Sequence, residues 1–331
     1  MQKKFNNSNI LITGGAGFIG SNLAKYFQSN FPSSKIVIFD CFRNETLLTN
    51  GNLSSFGHYK NLLGYKGEII CGDINNQDDL KLLDEYKFDF IFHHAAISDT
   101  RVYDQNLVFS TNINSFNYFL RKTKTDNACL VYASSAATYG SMPSPQSVGF
   151  ENPENPYGYS KYAMDQMAYK FMLNNPELNI VGLRFFNVYG PGEYFKNKTA
   201  SMVIQLGHQI LKGQKPRLFE NSDQIFRDFV YIEDVIEANI LSCFPKKSGV
   251  YNIGFGEPRS FKHIVDILQA ELKTDLEIDY IKNPYDGYQM HTCANIESSI
   301  QNLDYQPKIN LERGINKYIS YIKDNYQVSL N

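Results

Sequence analysis

The 331-residue sequence has no apolar run long enough to span a bilayer, no excess of either charge, and no paired cysteine spacing. Each absence excludes something. With 32 Lys and Arg against 34 Asp and Glu, the formal net charge is -2, which gives no basic field for nucleic acid and no polybasic membrane patch. The five cysteines, Cys41, Cys71, Cys129, Cys243 and Cys293, lie scattered, which suits reduced thiols rather than a disulfide framework or a zinc site. The opening MQKKFNNSN runs into a strand-like segment without an apolar signal region. The expectation is a soluble cytoplasmic protein with neither nucleic acid nor membrane as partner. There is no internal repeat and no low-complexity segment. At this length, 43% hydrophobic residues leave ample core for one large domain or two smaller ones.

What is present is a rhythm. Short apolar runs, NILIT (9–13), KIVIFD (35–40), GEIICGD (67–73), DFIFHHAA (89–96), ACLVYASS (128–135) and NIVGLRFFN (179–187), alternate with helix-length segments at 20–30, 76–86, 107–124 and 157–174. Runs this apolar predict strands buried on both faces, as in a doubly wound, Rossmann-like parallel sheet covered by helices. After residue 187 the rhythm breaks into loops rich in Gly, Pro and Lys, with a helix near 199–212. The division expected is a dinucleotide-binding domain over 1–187 and a smaller α/β substrate lobe over 188–331. The stretch 242–256 reads as a helix and then a strand, so residues 228–256 are expected to return to the first domain.

ITGGAGFIG places Gly14, Gly17 and Gly20 after the first strand and at the start of a helix, with Asp40 ending the second strand. Glycines there permit a tight turn and close approach of a pyrophosphate to a helix N-terminus, and the aspartate accepts from an adenosine ribose. Asp40 favours NAD by repelling a 2'-phosphate, Arg43 softens that repulsion, and the choice between NAD and NADP stays open. Asp73 suits either an adenine contact or a turn cap. His93 and His94 are adjacent on a strand, point to opposite faces, and so cannot chelate one metal; no metal site is expected.

NPYGYSK (155–161) holds two tyrosines and a lysine. In a helix Tyr157 and Lys161, four apart, share a face, and Tyr159 lies off it. Removing hydride from a carbinol requires taking the hydroxyl proton at the same time. Free tyrosine, with a pKa of about 10, is too weak a base at neutral pH. A neighbouring ammonium favours the phenolate, and Lys161 supplies it. Ser134 or Ser135, at the end of the fifth strand, would hold the reacting oxygen.

Taken together, TGGAGFIG, HHAA, YASSAATYG and Tyr157-x-x-x-Lys161 resemble the extended short-chain dehydrogenase/reductase family, whose members act mostly on nucleotide sugars. RFFNVYGPGE (184–193), KNKTASM (196–202), LFENSDQIFRDFVYIEDV (218–235) and YQMHT (288–292) are similar to the branch that epimerises C6 of ADP-heptose, toward the lipopolysaccharide inner core. The resemblance implies a tightly bound NAD or NADP recycled within each turnover, and a homo-oligomer. It assigns catalysis to Tyr157, Lys161, Ser134 ahead of Ser135, and Lys196 as a second proton donor. It places cofactor contacts at Gly14, Gly17, Phe18, Ile19, Asp40, Cys41, Arg43, Asp73, Ile74, His94, Ala95, Ala96 and Asn112, besides Tyr157 and Lys161. Substrate contacts fall at Ser98, Asn187, Val188, Lys196, Ser201, Phe219, Glu220, Arg227 and Tyr288, with Arg227 forking a diphosphate. Three positions depart from the pattern: Leu47 where some members carry lysine, Arg101 where a small hydroxyl residue is usual, and Asn221 where glycine is common. The departures leave a second substrate open, a GDP-linked heptose oxidised or epimerised at C4.

Overall fold

The run NILIT forms β1 (Asn9–Thr13) inside a seven-stranded parallel sheet in the computed structural model, which describes residues 5–284 and 289–326. The chain continues through α1 (Phe18–Asn30), β2 (Lys35–Asp40), β3 (Glu68–Cys71), α2 (Gln77–Lys81) and β4 (Phe90–His93). Then come α3 (Gln105–Phe109), α4 (Ser115–Asp126), β5 (Cys129–Ser135), α5 (Pro156–Asn174) and β6 (Ile180–Phe185). The second part holds β7 (Asn187–Tyr189), α6 (Met202–Leu211), β8 (Arg217–Phe219), β9 (Phe226–Tyr231), α7 (Ile232–Leu241) and β10 (Gly249–Ile253). It ends with β11 (Pro258–Ser260), α8 (Phe261–Leu272), β12 (Asp279–Ile281), α9 (Glu297–Leu303) and α10 (Leu311–Asn325).

Across the large sheet the order is β10-β6-β5-β4-β1-β2-β3. Side chains alternate along each strand, so both faces are apolar. Ile10, Ile12, Ile36, Ile38, Phe90 and Phe92 bury against α1 and α7, while Leu11, Val37, Phe39, Ile91 and Leu130 bury against α4 and α5. Because every pair is parallel, the strands deliver Thr13, Asp40, His93 and Ser135 to one edge. Strand order reverses between β1 and β4, the place where open α/β sheets form their ligand crevice.

The smaller lobe has two sheets of its own, β11-β9-β7 and β12-β8. The return to the large layer comprises α7, packed on α1, and β10, beside β6. It starts later than residue 228, because β9 pairs with β7 and β11 instead. The helix expected within 242–256 ends earlier, at Leu241. Two other elements differ from expectation. The helix expected over 107–124 is broken by a π turn at Ser110–Asn114, and that over 76–86 tightens after Lys81 into a 3-10 turn. No helix among the described residues is long and apolar enough to cross a membrane.

Candidate active site

Asn155 accepts from the Gly158 amide at 2.8 Å, and Pro156 occupies the first turn of α5, so the helix begins where Asn-Pro dictates. Tyr157 therefore sits on the first turn with its ring buried, and Lys161 follows on the same face, its Nζ 5.9 Å from the Tyr157 ring centroid. Tyr159 points away, 47% exposed, with its ring 5.4 Å from that of Phe109. The Ser135 hydroxyl accepts from the Ala137 amide at 3.1 Å. Burial pushes the Tyr157 phenol pKa up, and the neighbouring Ser135 hydroxyl pulls it back down. Lys161 donates to the Ala133 carbonyl at 2.7 Å, and burial brings its pKa down to about 8 against the pull of Asp165.

Ser134 corrects the expected order of the two serines. Its hydroxyl donates to Asp165 at 3.0 Å and is buried, because alternation along β5 turns it toward α5 while Ser135 faces the crevice end. Asp165 also accepts from Tyr132 at 2.9 Å and from Arg184 at 2.8 and 2.9 Å. The Arg184 guanidinium reaches Glu151 as well, at 2.6 Å, and is wholly buried. The i, i+4 step from Lys161 to Asp165 is legible in the sequence; its partner on β6 is not.

The glycine loop fits a dinucleotide. Gly14 has φ +66°, and a Cβ there would lie 2.8 Å from the Ala95 amide nitrogen, so only glycine lets the loop turn this tightly against the end of β4. Gly17 caps α1 without a side chain, leaving the helix N-terminus at Phe18 and Ile19 open for a pyrophosphate. Asp40, at the end of β2, accepts from the Ala16 amide at 2.9 Å and from the Phe42 amide at 2.8 Å. Burial raises its pKa, and those two amides pull it down. Cys41 follows, exposed. Arg43 donates to the Phe195 carbonyl in the other lobe. Asp73 is exposed and accepts from Asn75 at 2.9 Å, a turn bond, while Ile74 beside it is buried.

His93 meets Thr13 Oγ1 at 2.9 Å and stacks on Phe119, and His94 meets Asn239 on α7 at 2.9 Å. They do lie on opposite faces. Ala95 and Ala96 are half-buried at the crevice. Asn112 is fully buried in the π turn, accepting from Ile97 and donating to the Ile97 carbonyl and to Ser160. Its amide thus ties the loop after β4 to α5, rather than facing the crevice as the cofactor assignment requires.

Lys196 lies in a 3-10 segment, Tyr194–Thr199, half-buried, with its Nζ 5.8 Å from the Phe18 ring of the glycine loop. Burial lowers its pKa, and the carboxylates of Glu193 and Asp99 pull it back up. Glu193 has no exposed surface and accepts from Gly190, from the Ser201 amide and from the Ser201 hydroxyl at 2.8 Å. Ser201 is thereby engaged with Glu193. Asp99 accepts from Asn50, Asn52 and Arg101, so Arg101 turns to its own loop. Sequence reasoning missed Glu193 and Asp99; Glu193, three residues before Lys196, carried a local signal.

Ser98 and Asn187 are exposed, and Val188 is half-buried. Phe219 ends β8, and Glu220 continues that strand's pairing by donating its amide to Ile281. Arg227 lies on β9, mostly buried, donating to the carbonyls of Phe226 at 2.8 Å and Gln289 at 2.5 Å. Asn221 has φ +58°, which explains why glycine is common there; asparagine is among the residues that tolerate that region. Tyr288 lies outside the described residues.

This fold and site belong to nicotinamide-dependent enzymes of nucleotide-sugar metabolism, and the chain belongs to the NAD dependent epimerase/dehydratase family, which it matches over residues 10–254. It is 33% identical over 326 residues to an ADP-L-glycero-D-manno-heptose-6-epimerase of Brachyspira hyodysenteriae, covering 95% of this chain and 98% of that one. The crystal structure of the Helicobacter pylori ADP-L-glycero-D-manno-heptose-6-epimerase is similar with a TM-score of 0.88 and 48% identity, covering 96% and 97% of the two chains. A UDP-glucuronic acid 4-epimerase variant from Bacillus cereus, solved with NAD, is 28% identical with a TM-score of 0.80, covering 96% of this chain and 99% of that one.

Proposed function

We propose that the protein is an epimerase of ADP-heptose, oxidising C6 to a ketone and reducing it again on the opposite face with a nicotinamide cofactor kept through the turnover. When bound, the nicotinamide ring supplies the hydride acceptor and afterwards the donor. Everything else falls to side chains of this chain. Tyr157 takes the proton of the C6 hydroxyl as the C–H bond breaks. Ser135 holds that oxygen, and the Lys161 ammonium favours the phenolate. Lys196 returns a proton to the same oxygen when hydride arrives from the other side. Glycines 14 and 17, the α1 N-terminus and Asp40 hold the dinucleotide. Phe219, Glu220 and Arg227 take the nucleotide diphosphate of the sugar.

The observation that supports this reading is a lysine carried by the smaller lobe to the start of the first helix of the cofactor domain. Tyr157 comes from α5, and the Lys196 ammonium comes from the smaller lobe to within 5.8 Å of Phe18. A dehydrogenase uses one face of its ketone and has no work for such a lysine. Two relatives that carry the same activity in their names, at 33% and 48% identity over nearly the whole chain, support the choice of substrate. The free cysteines support a reducing cytoplasm, and a homo-oligomer is the assembly we infer.

The test uses enzyme as purified, with no added cofactor, given ADP-heptose and separately GDP-heptose and followed by NMR. Interconversion of the C6 epimers of the ADP sugar is expected. A 4-keto product, or turnover of the GDP sugar alone, would transfer the assignment to C4 chemistry on a GDP-linked heptose.

A further inference from the structure

The residue just before Lys196 is gripped from the opposite lobe. The Phe195 ring lies face to face with that of His58, centroids 3.8 Å apart and planes 6° from parallel. Arg43 donates to the Phe195 carbonyl, and the Lys60 ammonium sits 5.7 Å from the same ring. Both rings are buried, Phe195 at 3% and His58 at 4% exposure. His58 Nδ1 accepts from the Lys60 amide at 3.1 Å, which leaves that nitrogen without a proton, and burial holds the ring's pKa near 4. A neutral imidazole therefore faces the phenyl ring, an arrangement with no buried charge to solvate.

The segment that carries Arg43 and His58 has its two ends in the dinucleotide cradle. It leaves the sheet at Asp40, and it closes where the His58 amide donates to the Ala16 carbonyl at 3.0 Å, reinforced by Asn61 at 3.1 Å. The Ala16 amide in turn bonds Asp40 at 2.9 Å. Ribose ligand, glycine loop and the grip on Phe195 thus form one connected unit. Asn22 of α1 adds a second tie, donating to the Pro191 carbonyl at 2.8 Å. The stretch 191–196 is thus tied to the cofactor domain at both Pro191 and Phe195.

We propose that His58 and Arg43 latch Phe195 so that retention of the dinucleotide and the seating of Lys196 are a single event. The proposal rests on the reading of Lys196 as second acid/base group. An enzyme that reuses one cofactor needs it held while the ketone is exposed, and a site built only when the cofactor's loop is closed cannot protonate prematurely. Opening the segment for cofactor exchange breaks the stack and lets Lys196 drift from Phe18. His58, Arg43 and Phe195 are positioning residues in this account, and none touches the reacting atoms.

The test compares the purified holoenzyme with His58→Ala, Phe195→Leu and His58→Phe. Two quantities are followed: loss of bound dinucleotide on repeated gel filtration, and amide hydrogen exchange across residues 194–199. His58→Ala and Phe195→Leu remove the aromatic pair, and each is expected to release cofactor about tenfold faster and to exchange faster at 194–199. His58→Phe keeps the ring and is expected to restore both. Wild-type release from both stack-breaking variants overturns the latch, as does faster release with unchanged exchange at 194–199. The Lys196 reading is judged separately, by Lys196→Met, so either idea can fail while the other stands.

Discussion

Tyr157 and Tyr159 differ by two residues and by everything that matters chemically. The phenol of Tyr157 is buried against Ser135 and beside Lys161, whereas Tyr159 is half in solvent on another helical face. Tyr157→Phe is expected to keep fold and cofactor and to slow turnover at least about a hundredfold, the lower end for removing a general acid/base group. Tyr159→Phe is expected to turn over normally; equal losses in steady-state assays of the two would place the wrong tyrosine in the site. Lys161 adds a pH signature. With its pKa down at about 8, it loses its charge above that pH, and epimerisation is expected to fall on the alkaline side. Stability moves the other way. The unfolded lysine keeps its proton up to its ordinary 10.5, so between about 8 and 10.5 the unfolded chain binds more protons and this group's contribution to stability rises. Parallel pH profiles of turnover and of urea denaturation separate the two. Activity that holds flat past pH 8 and 9 removes Lys161's ammonium from the mechanism.

At the scale of elements, α5 has to be placed against β5 closely enough to bring Tyr157 to Ser135. Two features do this. Asn155 and Pro156 fix where the helix starts, and Asp165 fixes which face it presents, through bonds from Tyr132 and Ser134 on β5 and Arg184 on β6. The Asp165–Arg184 pair is fully buried, so its mutual attraction is largely spent on desolvation, and removing one partner leaves the other stranded. Asp165→Ala is expected to cost about 3–5 kcal/mol in denaturant titration. Asp165→Leu combined with Arg184→Met is expected to recover only part of that loss, because it removes both charges of the pair but leaves Glu151 and the Tyr132 and Ser134 hydroxyls without that partner. A single-variant loss below about 1 kcal/mol, the size of an exposed pair, would mean water reaches Arg184.

Across the whole molecule, the proposed mechanism depends on two lobes meeting. Tyr157 and Ser135 belong to the sheet, and Lys196 arrives on a segment that Asn22, Arg43 and His58 hold against the cofactor domain. Lys196→Met keeps the bulk and removes the transferable proton. It is expected to abolish interconversion of the heptose epimers while bound cofactor is retained. Single-turnover reduction of that cofactor by one epimer should survive, since Tyr157 serves that face alone. The check is NMR of the sugar together with nicotinamide absorbance. Near wild-type epimerisation by Lys196→Met would hand the second proton to another group.

The sheet, its helices, the glycine loop and the Tyr157–Lys161 pair were all legible in the sequence, because each rests on local periodicity or on spacing within a single turn. NILIT must be a buried strand whatever surrounds it, and residues four apart on a helix must share a face. The tertiary structure decided what depends on neighbours far along the chain. Ser134 and Ser135 look alike in YASSAATYG, and only the arrival of Asp165 and Arg184 behind β5 gives the first a buried partner, while the second caps the next turn at Ala137 beside Tyr157. Nothing near Arg43 in the sequence announces its bond to the Phe195 carbonyl, 152 residues on. Asn112 reads as a cofactor contact until Ile97 and Ser160 take its amide. Direction along a strand or helix is set by bond geometry at short range. Which polar group a side chain finds at the end of it is set by packing between elements, and that exists only once the chain has folded.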